Sequence, residues 1–301
     1  MNNATTNAHL RTYTWLVRRE FWENRAAWIL PAVIGGLILI VAMFGHIQTD
    51  ELPAVMNQAQ LRAASPVLFG GIVSAFFVVM SVYSTWYLLD CLSAERKDKS
   101  ILFWKSLPVS DTDTVLSKLF MGLIAIPVVY FAAADVTALG VAFVLSVRGG
   151  SALAPALWNL ETWFQFQVFS LYAILTLAVW YLPLTGWLLL VSAWAKRAVS
   201  LWAIGAPILA MVLEIKLLGT NFLESSIQKH LGGYFPAAFF GQDHFTARVP
   251  FGDHPGAAPR SIWEFIDPVG FVTNPHTWIA VALGAAFVYG AIELRSRATE
   301  I

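Results

Sequence analysis

Residues Asp90–Lys118 read DCLSAERKDKSILFWKSLPVSDTDTVLSK. The charges of this block, among them Glu95, Arg96, Lys97, Asp98, Lys99, Lys105 and Lys118, surround four consecutive large apolar residues: Ile101, Leu102, Phe103 and Trp104. Leaving such a side chain in water rather than burying it costs roughly 1.5–3 kcal/mol. The cluster therefore needs a cover, supplied by the bilayer interface, by the protein itself or by a second protein. The block also separates two long apolar runs, and the fold follows from working outward from it.

The chain has 301 residues, is 57% hydrophobic and 13% charged, and has a mean hydropathy of +0.63. Soluble domains carry about 25% charged residues. The composition implies an all-α polytopic membrane protein. Apolar runs at about 26–46, 67–89, 119–147, 166–194, 199–218 and 276–293 each reach or approach the ~20 residues a spanning helix needs. The expected architecture is a six-helix bundle in which residues 1–301 form one transmembrane domain. Pro127, Pro183 and Pro207 fall inside runs and read as kinks, which a helical bundle tolerates. No cleavable signal peptide is expected, because the first apolar run lies behind a charged segment and is long enough to span.

That charged segment has helical periodicity over residues 10–25. Leu10, Tyr13, Val17 and Phe21 share one face, Arg11, Arg18 and Arg25 recur on a neighbouring one, and Trp15 and Trp22 flank the arginines. This is the make-up of an amphipathic helix lying in a membrane interface, with membrane lipid as its partner. The plainer alternative is the first turns of a long membrane helix.

Lysine and arginine set the expected orientation. They gather in the N-terminal segment, in the block around Arg96, at Lys196 and Arg197, and at Arg295 and Arg297. The opposite side holds Arg62, Arg148, Lys229, Arg248 and Arg260 over longer loops. Positive loops stay in the cytoplasm, so both termini and residues 93–110 are expected inside, with the chain in the plasma (inner) membrane. On the other side, residues 219–275 form a long loop containing the stretch LGGYFPAAFF, residues 231–240. It is too short to span and too apolar to float, which implies a re-entrant or interfacial element.

Within the block, Ser93 and Ser100 are expected to start short helical elements, and Pro108 to end the second of them. Ser110 with Asp113 resembles a capping box, and Asp111 suits the start of the next helix. A compact knob with an apolar centre and a charged rim has the make-up of a protein interface. The alternative is a knob lying on lipid with Trp104 at the headgroups.

The stretch from Glu95 to Lys118 resembles the second cytoplasmic segment of ABC-2-type transporter permeases, and Arg18–Arg25 (RREFWENR) followed by Pro31 is similar to the start of the same group. The resemblance implies a coupling helix between helices 2 and 3, docked on a separate ATPase subunit. Two permeases, as a homodimer or heterodimer, and two ATPases would make an exporter. ATP and magnesium would belong to the ATPase partner, with no cofactor in this chain. Short external helices before the last span also fit the family plan. The docking residues would be Glu95, Arg96, Lys97, Asp98, Ile101, Leu102, Phe103, Trp104, Lys105, Leu107 and Pro108, with Phe103, Trp104 and Leu107 as anchors.

Asp135, in mid-run in the third span, is the candidate translocation-pathway residue, since an ionisable group at membrane depth is functional by default. A structural or boundary role is its alternative. His230, His244, His254 and His276 match no zinc-ligand spacing, so no metal site is expected. The lone Cys91 excludes an intrachain disulfide. Zero net charge gives no reason to expect nucleic acid. The chain has no G-x-x-x-x-G-K-[ST], G-x-S-x-G or H-E-x-x-H, so it is not expected to be an enzyme itself. The competing functions are a membrane-embedded enzyme acting on lipid, for which the outer-loop histidines are the only candidates, and a scaffold protein without transport.

Overall fold

A computed structural model describes residues 2–45, 58–106, 109–148, 154–239, 263 and 266–297. Among them the secondary structure is helical, apart from an isolated bridge between Phe239 and Ile266. The helices are α1 (Asn2–Glu23), α2 (Ala26–Phe44), α3 (Gln58–Lys97), α4 (Ser100–Ser106), α5 (Asp111–Phe120), α6 (Ile126–Arg148), α7 (Ala154–Leu157), α8 (Leu160–Trp180), α9 (Leu182–Trp194), α10 (Val199–Leu218), α11 (Phe222–Gly232), α12 (Tyr234–Ala238), α13 (Pro268–Thr273) and α14 (Pro275–Arg297). A π-helical segment, Met121–Ala125, joins α5 to α6.

Six helices are long and apolar enough to cross a membrane: Ala26–Phe44, Ser65–Lys97, Asp111–Arg148, Leu160–Trp180, Val199–Leu218 and Pro275–Arg297. Lipid offers no partners to backbone amides, so helices that satisfy their own are what such runs form. Two expectations need correction. The long run at 166–194 is two helices, broken at Tyr181 (φ −87°, ψ 11°). Pro183 lacks an amide hydrogen and its ring crowds the carbonyl four residues back, so it breaks this helix where a kink was expected. The second span also continues through Ser93 to Lys97, so no separate element starts at Ser93. At Pro127 the missing amide is absorbed differently: the turn before it widens into the π segment, and Ser84 donates to the Gly122 carbonyl at 3.3 Å.

The core is built chiefly from α2, α3, α5, α6, α9 and α14. α9 and α14 approach each other at backbone distance: a Cβ on Gly186 would lie 2.9 Å from the Gly284 carbonyl oxygen, and one on Gly284 2.7 Å from the Leu182 carbonyl carbon. Small residues are what allow membrane helices to meet at backbone distance. One end of the bundle is fastened by Arg148, which donates to the carbonyls of Ala42 (2.6 Å) and Gly45 (2.9 Å) at the C-terminus of α2. α10 stands apart, with only 6% of its most apolar stretch buried.

The apolar stretch at 231–239 is covered in part by the protein itself, with Leu231 and Phe235 left exposed. Tyr234, Ala237, Ala238 and Phe239 are buried against Ala173, Leu177 and Trp180 of α8 and Phe271 of α13. Tyr172 donates to the Ala238 carbonyl at 2.7 Å and Trp180 to the His230 carbonyl at 2.8 Å. Phe240, His244 and His254 lie outside the described residues.

Candidate functional site: the charged end of the bundle

α1 lays Tyr13, Leu16 and Glu20 on the bundle, one above the other at helical spacing. Leu16 and Glu20 are buried, and Tyr13 donates to the Leu116 carbonyl at 3.3 Å and meets Phe120 edge-on. Arg11, Trp15, Arg18 and Trp22 face outward, with the Arg18 guanidinium 5.2 Å from the Trp15 ring centre. Arg25, expected on the same helix, lies past its end at the turn into α2.

Glu20 opens a buried ionic network. Lys118 on α5 places Nζ 2.7 Å from Glu20 Oε1 and 3.0 Å from Glu95 Oε1 on α3. Tyr87 donates to Glu20 Oε2 at 2.9 Å. Arg295 on α14 donates Nη1 to Glu95 Oε2 at 2.6 Å and sets Nε 3.0 Å from Asp111 Oδ1. Arg19 reaches the edge of the cluster, 3.8 Å from Glu95 and 2.6 Å from Glu23. Glu20, Glu95, Lys118 and Arg295 are each at most 5% exposed. Burying a charge is costly unless it is paired, and this network pairs its charges by drawing on α1, α3, α5 and α14 together, while Glu95 Oε1 and Arg295 Nε make no well-directed hydrogen bond among the described residues.

Glu95 and Arg96 are therefore not on a solvated rim, as the sequence had led us to expect. Arg96 points at the C-terminus of α9, donating to the carbonyls of Ser192 and Ala195, the latter at 2.9 Å. The last carbonyls of a helix have no partner within it, and an arginine is a common way to satisfy them. Ser192 Oγ answers by accepting from the Leu92 and Ser93 amides.

Past Lys97 the chain turns at Lys99, in the left-handed region (φ 63°). The next helix is capped by Asp98, which accepts from the Ser100 amide at 3.0 Å, a role the sequence had assigned to Ser100. That bond, which favours the charged form, holds the Asp98 carboxyl below its ordinary pKa. On α4 the apolar residues divide. Ile101 is buried; Trp104 is half-buried beneath the Arg19 guanidinium, 3.3 Å from its ring centre; Phe103 is 59% exposed. Leu107 and Pro108 lie outside the described residues, as do the side chains of Leu102 and Lys105. Lys97 is exposed and 3.4 Å from Asp90. Ser110 then caps α5 in the expected box, accepting from the Asp113 amide at 2.9 Å and donating to its carboxylate at 2.7 Å.

Asp135 is half-buried on α6 and faces Gln167 and Trp163 of α8, well removed from this network. Glu20, Lys118 and Arg295 were missed by the sequence reading as site residues. The available signal was a carboxylate on the apolar face of α1, in step with Tyr13 and Leu16.

Against known family models, curated proteins and solved structures, the chain shows no match.

Proposed function

We propose that the chain is the membrane-spanning permease subunit of an ATP-driven exporter, with α4 as the element on which a separate ATPase docks. One observation carries this reading: α4 holds Phe103 out to solvent while anchoring Ile101 and Trp104 inward, next to the network centred on Glu95. A push on α4 would be passed through Glu95 to α1, α5 and α14 in one step, because separating buried charges is costly. Two permeases and two ATPases would form the working assembly, with ATP and magnesium on the ATPases and both termini of this chain on the cytoplasmic side. ATP would shift the assembly only through its greater affinity for the closed ATPase pair. Asp135, without an ion-pair partner among the described residues, is the residue proposed to face the pathway.

The test is reconstitution in vesicles with a Walker-motif ATPase, sought first among the genes that neighbour this one. ATP hydrolysis is expected to rise on assembly and to lose that rise in Phe103→Asp. An unchanged rise in the variant rejects α4 as the docking element.

A further inference from the structure

A cavity of about 600 Å³ lies between the end of α1, the turn into α2 and one face of α3, and Ser100 and Trp104 of α4 and Lys118 of α5 also line it. Its walls differ in character. Tyr83 and Trp86 form an aromatic side, followed along α3 by Asp90 and Asp98; Glu23 and Arg25 stand on the opposite wall. Tyr83 to Asp90 is about 10 Å along the helix, so the lining passes from apolar to charged within that length.

Two independent features say what such a cavity takes. The first is its level in the membrane. Trp86 is 70% exposed, and Trp22 and Trp28, which bracket the lining residues Glu23–Ala26, are also exposed. Tryptophans turned outward where apolar helix gives way to charge sit at lipid headgroups. The second is charge. Arg25 is exposed and makes no ion pair with a described residue, while the exposed Asp90 accepts from the Ser93 hydroxyl at 3.2 Å and lies 3.4 Å from the exposed Lys97, and the exposed Asp98 accepts from the Ser100 amide with Arg19 in its vicinity. A purely anionic group would meet Arg25 but face the carboxylates; a cation alone would leave Arg25 unmatched.

We infer that this cavity is a binding site for a phospholipid whose headgroup carries both a phosphate and an ammonium. The phosphate is held by Arg25, the ammonium by Asp90, and the upper acyl chains lie along Tyr83 and Trp86. This site does not depend on the transport reading above.

The test uses the full-length protein, stripped of lipid in detergent and offered phosphatidylethanolamine and phosphatidylglycerol in equal amounts with identical acyl chains. Native mass spectrometry counts what stays bound. The expected result is one phosphatidylethanolamine per chain, favoured roughly tenfold, the size of one or two charge-assisted hydrogen bonds. Arg25→Gln and Asp90→Asn, both at exposed positions, are each expected to bring the ratio towards one while leaving the melting temperature unchanged. Equal retention by the native protein, or a ratio that neither substitution moves, overturns the site. Free glycerophosphoethanolamine is the second arm. If it displaces the lipid at comparable concentration, the chains contribute nothing and the cavity belongs to a soluble headgroup, which overturns a lipid site; failure to compete supports it.

Discussion

Lys118 and Glu20, ninety-eight positions apart in the chain, meet at 2.7 Å with both side chains 3% exposed. This pair ties the N-terminal helix to the third span, and Glu95 extends it to the second and the last.

Removing the cation leaves two carboxylates without it. Lys118→Met should cost about 3–5 kcal/mol, the usual penalty for breaking a buried pair from one side. Glu20→Gln should cost less, since Lys118 keeps Glu95. Thermal unfolding in detergent, followed by fluorescence-detected size exclusion, measures the order.

Phe103 and Trp104 should separate docking from stability. Phe103 is exposed, so Phe103→Ala is expected to leave the melting temperature within the small change usual for surface sites, while abolishing stimulation of a reconstituted ATPase. Trp104→Ala also removes the surface on which Arg19 rests. It should lower the melting temperature as well, by an amount matching the ~0.5–2 kcal/mol of such a contact. Equal effects of the two on ATPase stimulation and on melting would contradict this division.

Glycine substitutions should rank by what the new Cβ meets. Gly284→Ala runs into the Leu182 backbone at 2.7 Å, which cannot swing aside, and should cost about 1–3 kcal/mol. Gly122→Ala meets the tip of the Leu88 side chain at 2.7 Å and should cost less. Gly36→Ala meets nothing within 4 Å and should be neutral or slightly stabilising. Melting temperatures of the three variants check the ranking.

The packing of α11 should weaken in acid. His230 stacks on Trp180 at 5.1 Å with the rings 6° apart, and burial holds its imidazole below the ordinary pKa, with His276 adding to the effect. Tyr181 also faces it, and Lys229 precedes it in the helix. A lowered value means the packed state binds the proton less well than the free state. The stabilisation is therefore intact above the ordinary value near 6.5 and declines as pH falls through it. Hydrogen exchange over residues 222–239 should speed up between pH 8 and about 5.5 relative to its intrinsic rate, with free imidazole titrating near 6.5. His230→Phe, which keeps the stack, should remove the dependence.

The apolar runs, the Ser110 cap of α5 and the outward-facing Arg11, Trp15 and Arg18 were legible in the sequence, because each depends on neighbours within a few residues. Low charge pointed to a membrane protein, and apolar runs of about 20 residues pointed to helices rather than the shorter strands of a barrel. The role of the charged block was not legible in the same way. Glu95 and Lys97 are two residues apart and read alike, yet one is the hub of a buried network and the other is exposed. What separates them is the arrival of Glu20, Lys118 and Arg295 from distant parts of the chain. The sequence by itself determined which stretches are apolar enough to cross a membrane, through local hydrophobicity. Only the tertiary structure decided which charges leave water, because that depends on partners brought together by packing.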